Sequence, residues 1–493
     1  MAVLKKTTGK AVFLPALLFF LFSCGAPEVR YERAPSLLPG TDRQMKTAGY
    51  WIGRHPAPDR LFLDPSQIER LNRYVAEELK RTRDLLSAPE AFPREDLLPL
   101  LEEDAEPFGQ GTYYGRDGDE AEPSFLDSLD RNRNMGGLPE RIVPRPALVV
   151  RFAEQRVFPA ADPLYAKRGD LNFDELQMSS LDVGTPLLAV LESLDGAWVY
   201  VLDPLYRGWV KKENVAFCTR DEMERYMRPG EFAVVTAAKA DLYLDARRTK
   251  HHEYARMGVR FPLAGDPGED GTLPVLLPLR REDGTVSFRE GFVSAGAARR
   301  GFLPLTPRNM LEQAFRLLDA PYGWGGMYGE QDCSRFVQEI FATAGIDLPR
   351  NSSGQAGVGL LLDKFEEDVP AEEKERIITG LAVGGVTLLY MKGHILLYTG
   401  QVDGKPYAVH GLWGYRERSL WHDRVRVTGR VVLSDLTLGR GTGKGSLLDR
   451  IVSFRVLSPV DLIFTEPEPV PADTGLLQSG PSGPAAVRCP FSR

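Results

Sequence analysis

Residues 321–345 read PYGWGGMYGEQDCSRFVQEIFATAG, and this stretch decides the fold. A single cysteine, Cys333, stands between an aromatic, glycine-rich loop and a segment with helical periodicity. Asp332 occupies the N-cap position, and Phe336, Val337, Ile340 and Phe341 form one apolar stripe. Gly345 supplies a C-terminal stop. A thiol in a first helical turn feels the positive end of the helix dipole, which favours thiolate. Cys333 also lies close to the apolar stripe, so a buried core thiol is the competing reading.

The histidines bear on that choice. The chain has six, and two sit in strand-like contexts downstream: His394 in KGHILLYTG and His410 in YAVHG. They flank a loop around QVDGK. A loop of about three to five residues predicts that they face each other on an antiparallel pair. Taken alone, each is an ordinary core or surface histidine. Together with Cys333 they fill three roles: nucleophile, general base, and a group that orients the base.

From about Thr306 to Pro459 the chain resembles the NlpC-type papain-like cysteine peptidases of bacterial cell walls. The resemblance rests on Pro321-Tyr322-x-Trp324-Gly325-Gly326, Asp332-Cys333-Ser334, Gly345-Ile346-x-Leu348-Pro349-Arg350 with Ser352 and Gln355, and then His394 and His410. The order cysteine, then histidine, matches the non-permuted branch, not the permuted lipid acyltransferases. The resemblance implies Cys333 as nucleophile, His394 as base and then acid, and His410 as its orienting partner. It implies that the Tyr322 hydroxyl joins the Cys333 N–H in an oxyanion hole, and that Trp324, Asp332, Ser334, Arg350, Asn351 and Ser352 contact substrate. Arg335 departs from the glycine of many relatives and is expected to line the groove.

Working outward, the texture upstream is different. From about Val143 to Arg300 come short strands and turns, with Asp195-Gly196 and Asp283-Gly284 each ahead of a strand and Gly208-Trp209-Val210 echoed by Gly291-Phe292-Val293. Two small barrels are predicted, at 142–228 and 229–303, with one larger β domain as the alternative. Residues 25–141 read as a mainly helical region; Ile68, Leu71, Val75 and Leu79 share a helix face. The catalytic domain is expected at 304–464. The fold class is thus α+β: a papain-like domain preceded by two SH3-like β-barrels and a helical N-terminal region. Relatives with this layout cleave between γ-D-glutamate and a diamino acid, usually diaminopimelate, in peptidoglycan stem peptides, and their first barrel lends loops to the groove.

The ends of the chain suggest where it works. Lys5, Lys6 and Lys10 precede the apolar run AVFLPALLFFLF, which ends in Leu21-Phe22-Ser23-Cys24. The run is short for a membrane span and suits a signal-peptide core. Its end resembles the lipobox of bacterial lipoproteins, so residues 1–24 are expected to be a lipoprotein signal with Cys24 lipidated; a plain cleaved signal is the alternative. An exported, envelope-located protein follows, anchored at the periplasmic face of the outer membrane. Residues 465–493, rich in Pro, Gly and Ser, read as a disordered tail. Of the remaining cysteines, Cys218 and Cys489 have no spacing that dictates a pair. No Cys-x-x-Cys or His-x-x-x-His pair suggests a zinc site, and no cofactor is expected. The net charge of −7 points to no nucleic-acid partner. A monomer is expected.

One position bears on substrate. Recycling relatives that demand a free L-alanine carry Pro-Arg-Asp-Ser, whose aspartate meets the substrate ammonium. This chain reads Pro349-Arg350-Asn351-Ser352. A neutral amide binds an ammonium less well than a carboxylate does. Asn351 therefore points to intact wall as substrate, with a plain turn residue as the competing reading. The charged run 363–377 is expected to be a solvated helix or loop. A catalytically inert wall-binding lipoprotein is the reading from a different class.

Overall fold

The computed structural model describes residues 31–460 apart from 110, 269–270 and 420–422. The expectations for Cys24, Cys489 and the tail lie outside the described residues.

The stretch 31–142 is helical in the main but has no single core of its own. Helix α1 (Pro65–Glu77) is capped by Asp64, whose side chain accepts from Gln67 N–H while Gln67 returns the bond. It buries Ile68, Leu71 and Val75, with Leu79 partly covered, as the periodicity predicts. These residues and Trp51 join the catalytic core, alongside Leu311 and Phe341. The strand Tyr31–Arg33 pairs in parallel with Val425–Val427, so the first described residues edge the catalytic sheet. The second half of the stretch behaves differently. Helix α2 (Arg94–Ala105) buries Leu97, Leu100 and Leu101 against Tyr200 and Trp209 of the first barrel. Helix α3 (Pro123–Asn132) buries Leu129 with Phe158 and Leu164 of the same barrel. The expected N-terminal unit is thus shared between two neighbours.

The first barrel is a seven-stranded sheet. Its strands are β1 (Arg145–Val149), β2 (Ala153–Arg156), β3 (Gln177–Leu181), β4 (Pro186–Glu192), β5 (Trp198–Leu202), β6 (Arg207–Lys211) and β7 (Val215–Phe217), in the order β7-β1-β4-β5-β6-β2-β3. The Asp195-Gly196 turn joins β4 to β5, with Gly196 at φ 69° and the Asp195 carboxylate accepting from Ala197 N–H at 2.9 Å. The second barrel consists of a three-stranded and a four-stranded sheet around Ala233, Leu242, Val275, Leu277 and Val293. It contains β8 (Phe232–Val235), β9 (Lys239–Tyr243), β10 (His251–Arg256), β11 (Arg260–Pro262), β12 (Thr272–Arg280), β13 (Val286–Ser294) and β14 (Ala298–Arg300).

In the catalytic domain, Thr306 caps α4 (Pro307–Arg316) and Asp332 caps α5 (Cys333–Ala342). The sheet holds β15 (Leu360–Lys364), β16 (Thr387–Met391), β17 (His394–Val402), β18 (Lys405–Glu417), β19 (Arg424–Asp435) and β20 (Ser453–Val456). From the strand Tyr31–Arg33 inward, the order is β19-β18-β17-β16-β20-β15. The α5 stripe of Phe336, Val337, Ile340 and Phe341 is fully buried. The charged run 363–377 is largely exposed, as expected, with Phe365 and Lys374 its buried members. It leads into α7 (Ala371–Leu381), which follows the short α6 (Ser352–Gln355) in the chain. Lys374 of α7 is buried and donates to the carbonyls of Asp449 and Ile451 at 2.9 and 3.0 Å.

One buried charge cluster joins both barrels to the catalytic domain. Asp182, just past β3, accepts from Arg256 of β10 at 2.7 Å and from Arg335 of α5 at 2.8 Å. Arg256 also donates to Ser180 Oγ at 2.9 Å, and Arg335 to Glu339 at 3.0 Å. Burial would raise the Asp182 carboxyl, but Arg256 and Arg335 beside it hold it below its ordinary value. Arg335 therefore serves this cluster and does not line the catalytic groove as expected. Breaking a buried pair by removing one partner strands the other charge. We expect Asp182→Ala to cost about 3–5 kcal/mol, read as a lowered urea midpoint.

Candidate active site

The site is built where the N-terminus of α5 meets β17 and β18. Asp332 Oδ1 accepts from Arg335 N–H at 2.8 Å, which fixes the first turn. Its carboxylate also pairs with Arg350 at 2.7 Å, and Arg350 bonds Ser334 Oγ at 3.0 Å and Ser179 Oγ of the first barrel at 2.8 Å. Arg350, Asp332 and Ser334 are all buried. Three residues expected to contact substrate thus spend their hydrogen bonds on one another, holding the cysteine turn against the first barrel. Burial would raise the Asp332 carboxyl, but Arg350 holds it below its ordinary value.

Cys333 is buried, and the backbone N–H groups of Ile395 and Ser334 near its sulfur act in favour of thiolate. Ile395 follows His394 on β17, so the thiol lies beside that histidine's backbone. His394 Nε2 and His410 Nδ1 are 2.7 Å apart, and His410 Nε2 is 3.0 Å from Ser434 Oγ on β19. The structure thus joins His394 to His410 and sets the Cys333 turn against the strand that carries His394.

Two details differ from the sequence reading. The connection between β17 and β18 is a two-residue turn, Asp403-Gly404, with φ of 50° and 79°. The register Leu397↔Val409 then places His394 and His410 diagonally on one face and not directly opposite. The thiol also departs from the dipole expectation. Burial, reinforced by the Asp332 carboxylate, pushes the Cys333 thiol up to about 12. Burial and then His410 drive His394 well below its ordinary value, and burial takes His410 to about 3. The resting site is a neutral thiol beside two neutral imidazoles.

This neutrality defines a useful tautomer. When His394 donates from Nε2 to His410 Nδ1, and His410 donates from Nε2 to Ser434, His394 Nδ1 carries a free lone pair. That nitrogen is then able to take a proton.

The glycine-rich loop forms another wall. Trp324 is half-buried, with its ring edge-on to Phe173 at 5.3 Å, and Phe173 meets Trp413 at 5.0 Å. Phe173 belongs to the long connection between β2 and β3, so the first barrel does lend a loop to this wall. Gly325 and Gly326 have φ of 57° and 83°; a Cβ on Gly325 would sit 2.6 Å from Gln177 O, and one on Gly326 would collide with Ser180. The half-buried Tyr322 packs on the same aromatic cluster, and its N–H donates to Gly429 O at 2.9 Å.

Asn351 caps the short α6, its Oδ1 accepting from Gly354 N–H at 2.7 Å, and Ser352 opens that helix. Sequence reasoning missed two residues that shape the site. Ser434 is one; a lone serine in a strand gives no signal. Gly411 is the other: a Cβ there would sit 3.1 Å from Asp332 O, so a side chain would press on the cysteine turn that β18 passes under. The glycine beside His410 in YAVHG was the available clue. Cys218 is a half-buried free thiol, pushed by burial up to about 12.

A thiol and a histidine pair between a helix N-terminus and an antiparallel sheet, walled by a small β-barrel, define a papain-like cysteine domain of the kind that carries peptidase chemistry. Residues 319–405 match the NlpC/P60 family and residues 163–211 match an SH3 domain of the SH3b1 type, so the chain carries an NlpC/P60 domain behind a bacterial-type SH3 domain. A gamma-D-glutamyl-L-lysine dipeptidyl-peptidase from Bacillus cereus is 26% identical over 185 residues, 34% of this chain and 51% of the relative. The chain thus spans about half the length of that relative. A solved NlpC/P60 endopeptidase from Photobacterium damselae subsp. piscicida shares the fold at TM-score 0.71 and 20% identity, over 87% of this chain and 100% of that one. A solved NlpC/P60 family protein from Bacillus cereus aligns with 58% of this chain and 83% of its own at TM-score 0.41 and 19% identity.

The buried neutral histidines make stability pH-dependent. Between the ordinary value of 6.5 and the folded value near 3, the unfolded chain binds a proton on His410 that the folded chain refuses. Stability therefore falls as pH falls below about 6.5, by roughly 2 kcal/mol at pH 5 for His410 alone. Urea titrations at pH 7, 6 and 5 should show this loss, and His410→Gln should lessen it, leaving the part that the buried His394 contributes.

Proposed function

We propose that this chain is a cysteine endopeptidase of bacterial cell walls, cleaving the γ-D-glutamyl–diaminopimelate bond of peptidoglycan stem peptides. The observation that carries the reading is the hydrogen-bonded chain His394–His410–Ser434 set beside a thiol at a helix N-terminus. In the step it supports, Cys333 Sγ attacks the γ-carbonyl carbon as its proton passes to His394 Nδ1. The oxyanion takes hydrogen bonds from Cys333 N–H, which has no carbonyl to reach within its own helix, and from the Tyr322 hydroxyl. Collapse expels the diamino acid's amine, which takes the proton from His394. Water, deprotonated by His394, then hydrolyses the thioester. His410 stays neutral throughout and accepts from the imidazolium, orienting it. Trp324 offers an aromatic wall for the peptide, while Asp332, Ser334 and Arg350 position the cysteine turn.

The intact wall is the proposed substrate. Asn351 places no carboxylate where a free alanine ammonium would need one, and its carbonyl oxygen is already committed to a helix cap. Lipid on Cys24 would hold the enzyme at the periplasmic face of the outer membrane, facing that wall, as a monomer.

A paired digest tests this. Protein lacking residues up to Cys24, and its Cys333→Ala form, are incubated with diaminopimelate-type sacculi and, separately, with free L-Ala-γ-D-Glu-diaminopimelate. The expected result is wall fragments ending in γ-D-Glu by mass spectrometry, absent with Cys333→Ala. His394→Ala should lower the rate by about 10²- to 10⁴-fold. Cleavage of the free tripeptide alone would make the protein a recycling enzyme, and cleavage of neither would leave a wall-binding protein.

A further inference from the structure

The glycine-rich loop at 324–329, WGGMYG, takes positive φ at most of its residues. Gly325, Gly326 and Gly329 do so at 57°, 83° and 70°, as glycine does readily. Tyr328 does so too, at φ 60° and ψ 16°. Of the six described non-glycine residues with positive φ, it is the only aromatic one. A bulky side chain in this region costs free energy, and packing normally offsets such a cost. Here it does not. Tyr328 is 73% exposed, the most of any large hydrophobic residue described.

Both barrels impose this conformation. A Cβ added at Gly325 or Gly326 would meet Gln177 or Ser180 of the first barrel, and one at Gly329 would meet Tyr254 of the second. Glu330 is held by Lys239 of the second barrel at 2.7 Å. Tyr328 is thus fixed between clamped neighbours with its ring in solvent. Burial and then Asp174 raise the Tyr165 phenol, and Tyr328 adds to this, so the ring stands near the long β2–β3 connection that also carries Phe173. A glycine at 328 would give the loop the same path at lower cost. The phenol ring is what the position gains.

We propose that Tyr328 is a sugar-stacking residue, its exposed ring receiving a pyranose of the glycan strand that bears the stem peptide. This rests on the wall-peptide reading above and names a subsite beyond the peptide. A tyrosine offers an apolar face to the C–H face of a sugar and a hydroxyl to its rim, with few rotors to fix. The reach agrees. Tyr328 lies five positions before Cys333, at most about 18 Å of chain. In the substrate, lactyl, L-alanyl and γ-glutamyl groups separate the sugar from the scissile carbonyl, roughly 10–14 Å when extended.

The test is a titration that does not depend on cleavage. The disaccharide-linked stem, N-acetylglucosaminyl-N-acetylmuramyl-L-Ala-γ-D-Glu-diaminopimelate, and free L-Ala-γ-D-Glu-diaminopimelate are each titrated calorimetrically into the Cys333→Ala protein. The same is done with Tyr328→Ala, Tyr328→Gly or Tyr328→Phe added. Tyr328→Ala and Tyr328→Gly should weaken the disaccharide-linked stem about 3- to 10-fold and leave the free stem as it was. Tyr328→Phe should keep most of the affinity. Tyr328→Gly should melt no lower than its parent, since the ring has little packing to lose. Equal weakening of both ligands would put the ring on the peptide, and a lowered melting temperature in Tyr328→Gly would make it a packing residue. Either result, unchanged affinity in Tyr328→Ala, or no saturable binding of the disaccharide-linked stem would overturn the assignment. Tyr328-dependent binding without cleavage by the Cys333 parent would support the subsite and overturn only the peptidase reading.

Discussion

Three parts of this protein meet on one carboxylate. Asp182 leaves the first barrel, Arg256 comes from the second, and Arg335 comes from the helix that starts with Cys333. Glu339 completes the cluster, so two arginines face two carboxylates with no net charge. Such a group is expensive to bury and gains little over well-packed apolar residues. What it supplies is geometry. Guanidinium groups bind carboxylates along fixed directions, so the barrels and the cysteine helix acquire one mutual orientation. Arg350 continues the arrangement, tying the cap of that helix to Ser179 of the first barrel. The cysteine turn is therefore set by groups outside its own domain as well as by its local cap.

The docking of the glycine-rich loop depends on the same orientation. Gln177 donates to Gly325 O at 3.1 Å, and the glycines leave room for strand β3 to lie against the loop. The barrel could not seat there if it were rotated. Phe173 would then fail to reach Trp324 and Trp413, and the aromatic wall beside the site would come apart.

Much of this was legible in the chain. The helix of Cys333 announced itself through Asp332, the apolar stripe and Gly345, because caps and periodicity are local properties. The Asp-Gly turns marked hairpins for the same reason. What could not be read was long-range. Nothing near Asp182, Arg256 or Arg335 in sequence says that they meet, since ion pairs across domains leave no periodic trace. The thiol's charge state was misjudged because the helix dipole is visible in sequence and burial is not. The histidine register failed by a turn length: Asp403-Gly404 is a two-residue turn signal, and a longer loop shifts every pairing beyond it. The N-terminal stretch looked like a separate unit because its helices are amphipathic. Which surface each apolar face would find, catalytic core or first barrel, was not written beside it.

The strand Tyr31–Arg33 pairs with Val425–Val427, nearly 400 residues later in the chain. On the ribosome, or during any passage that releases the chain from its N-terminus onward, that strand emerges long before its partner exists. The barrels, built from neighbouring strands, have their strand pairings in hand far earlier. The same holds for Trp51, which stacks near Tyr407 and has to wait for it. The sheet of the thiol domain is thus completed only after β19 and β20 have emerged. A chain stopped short of β19 would hold paired barrel strands and a thiol domain whose sheet is still open.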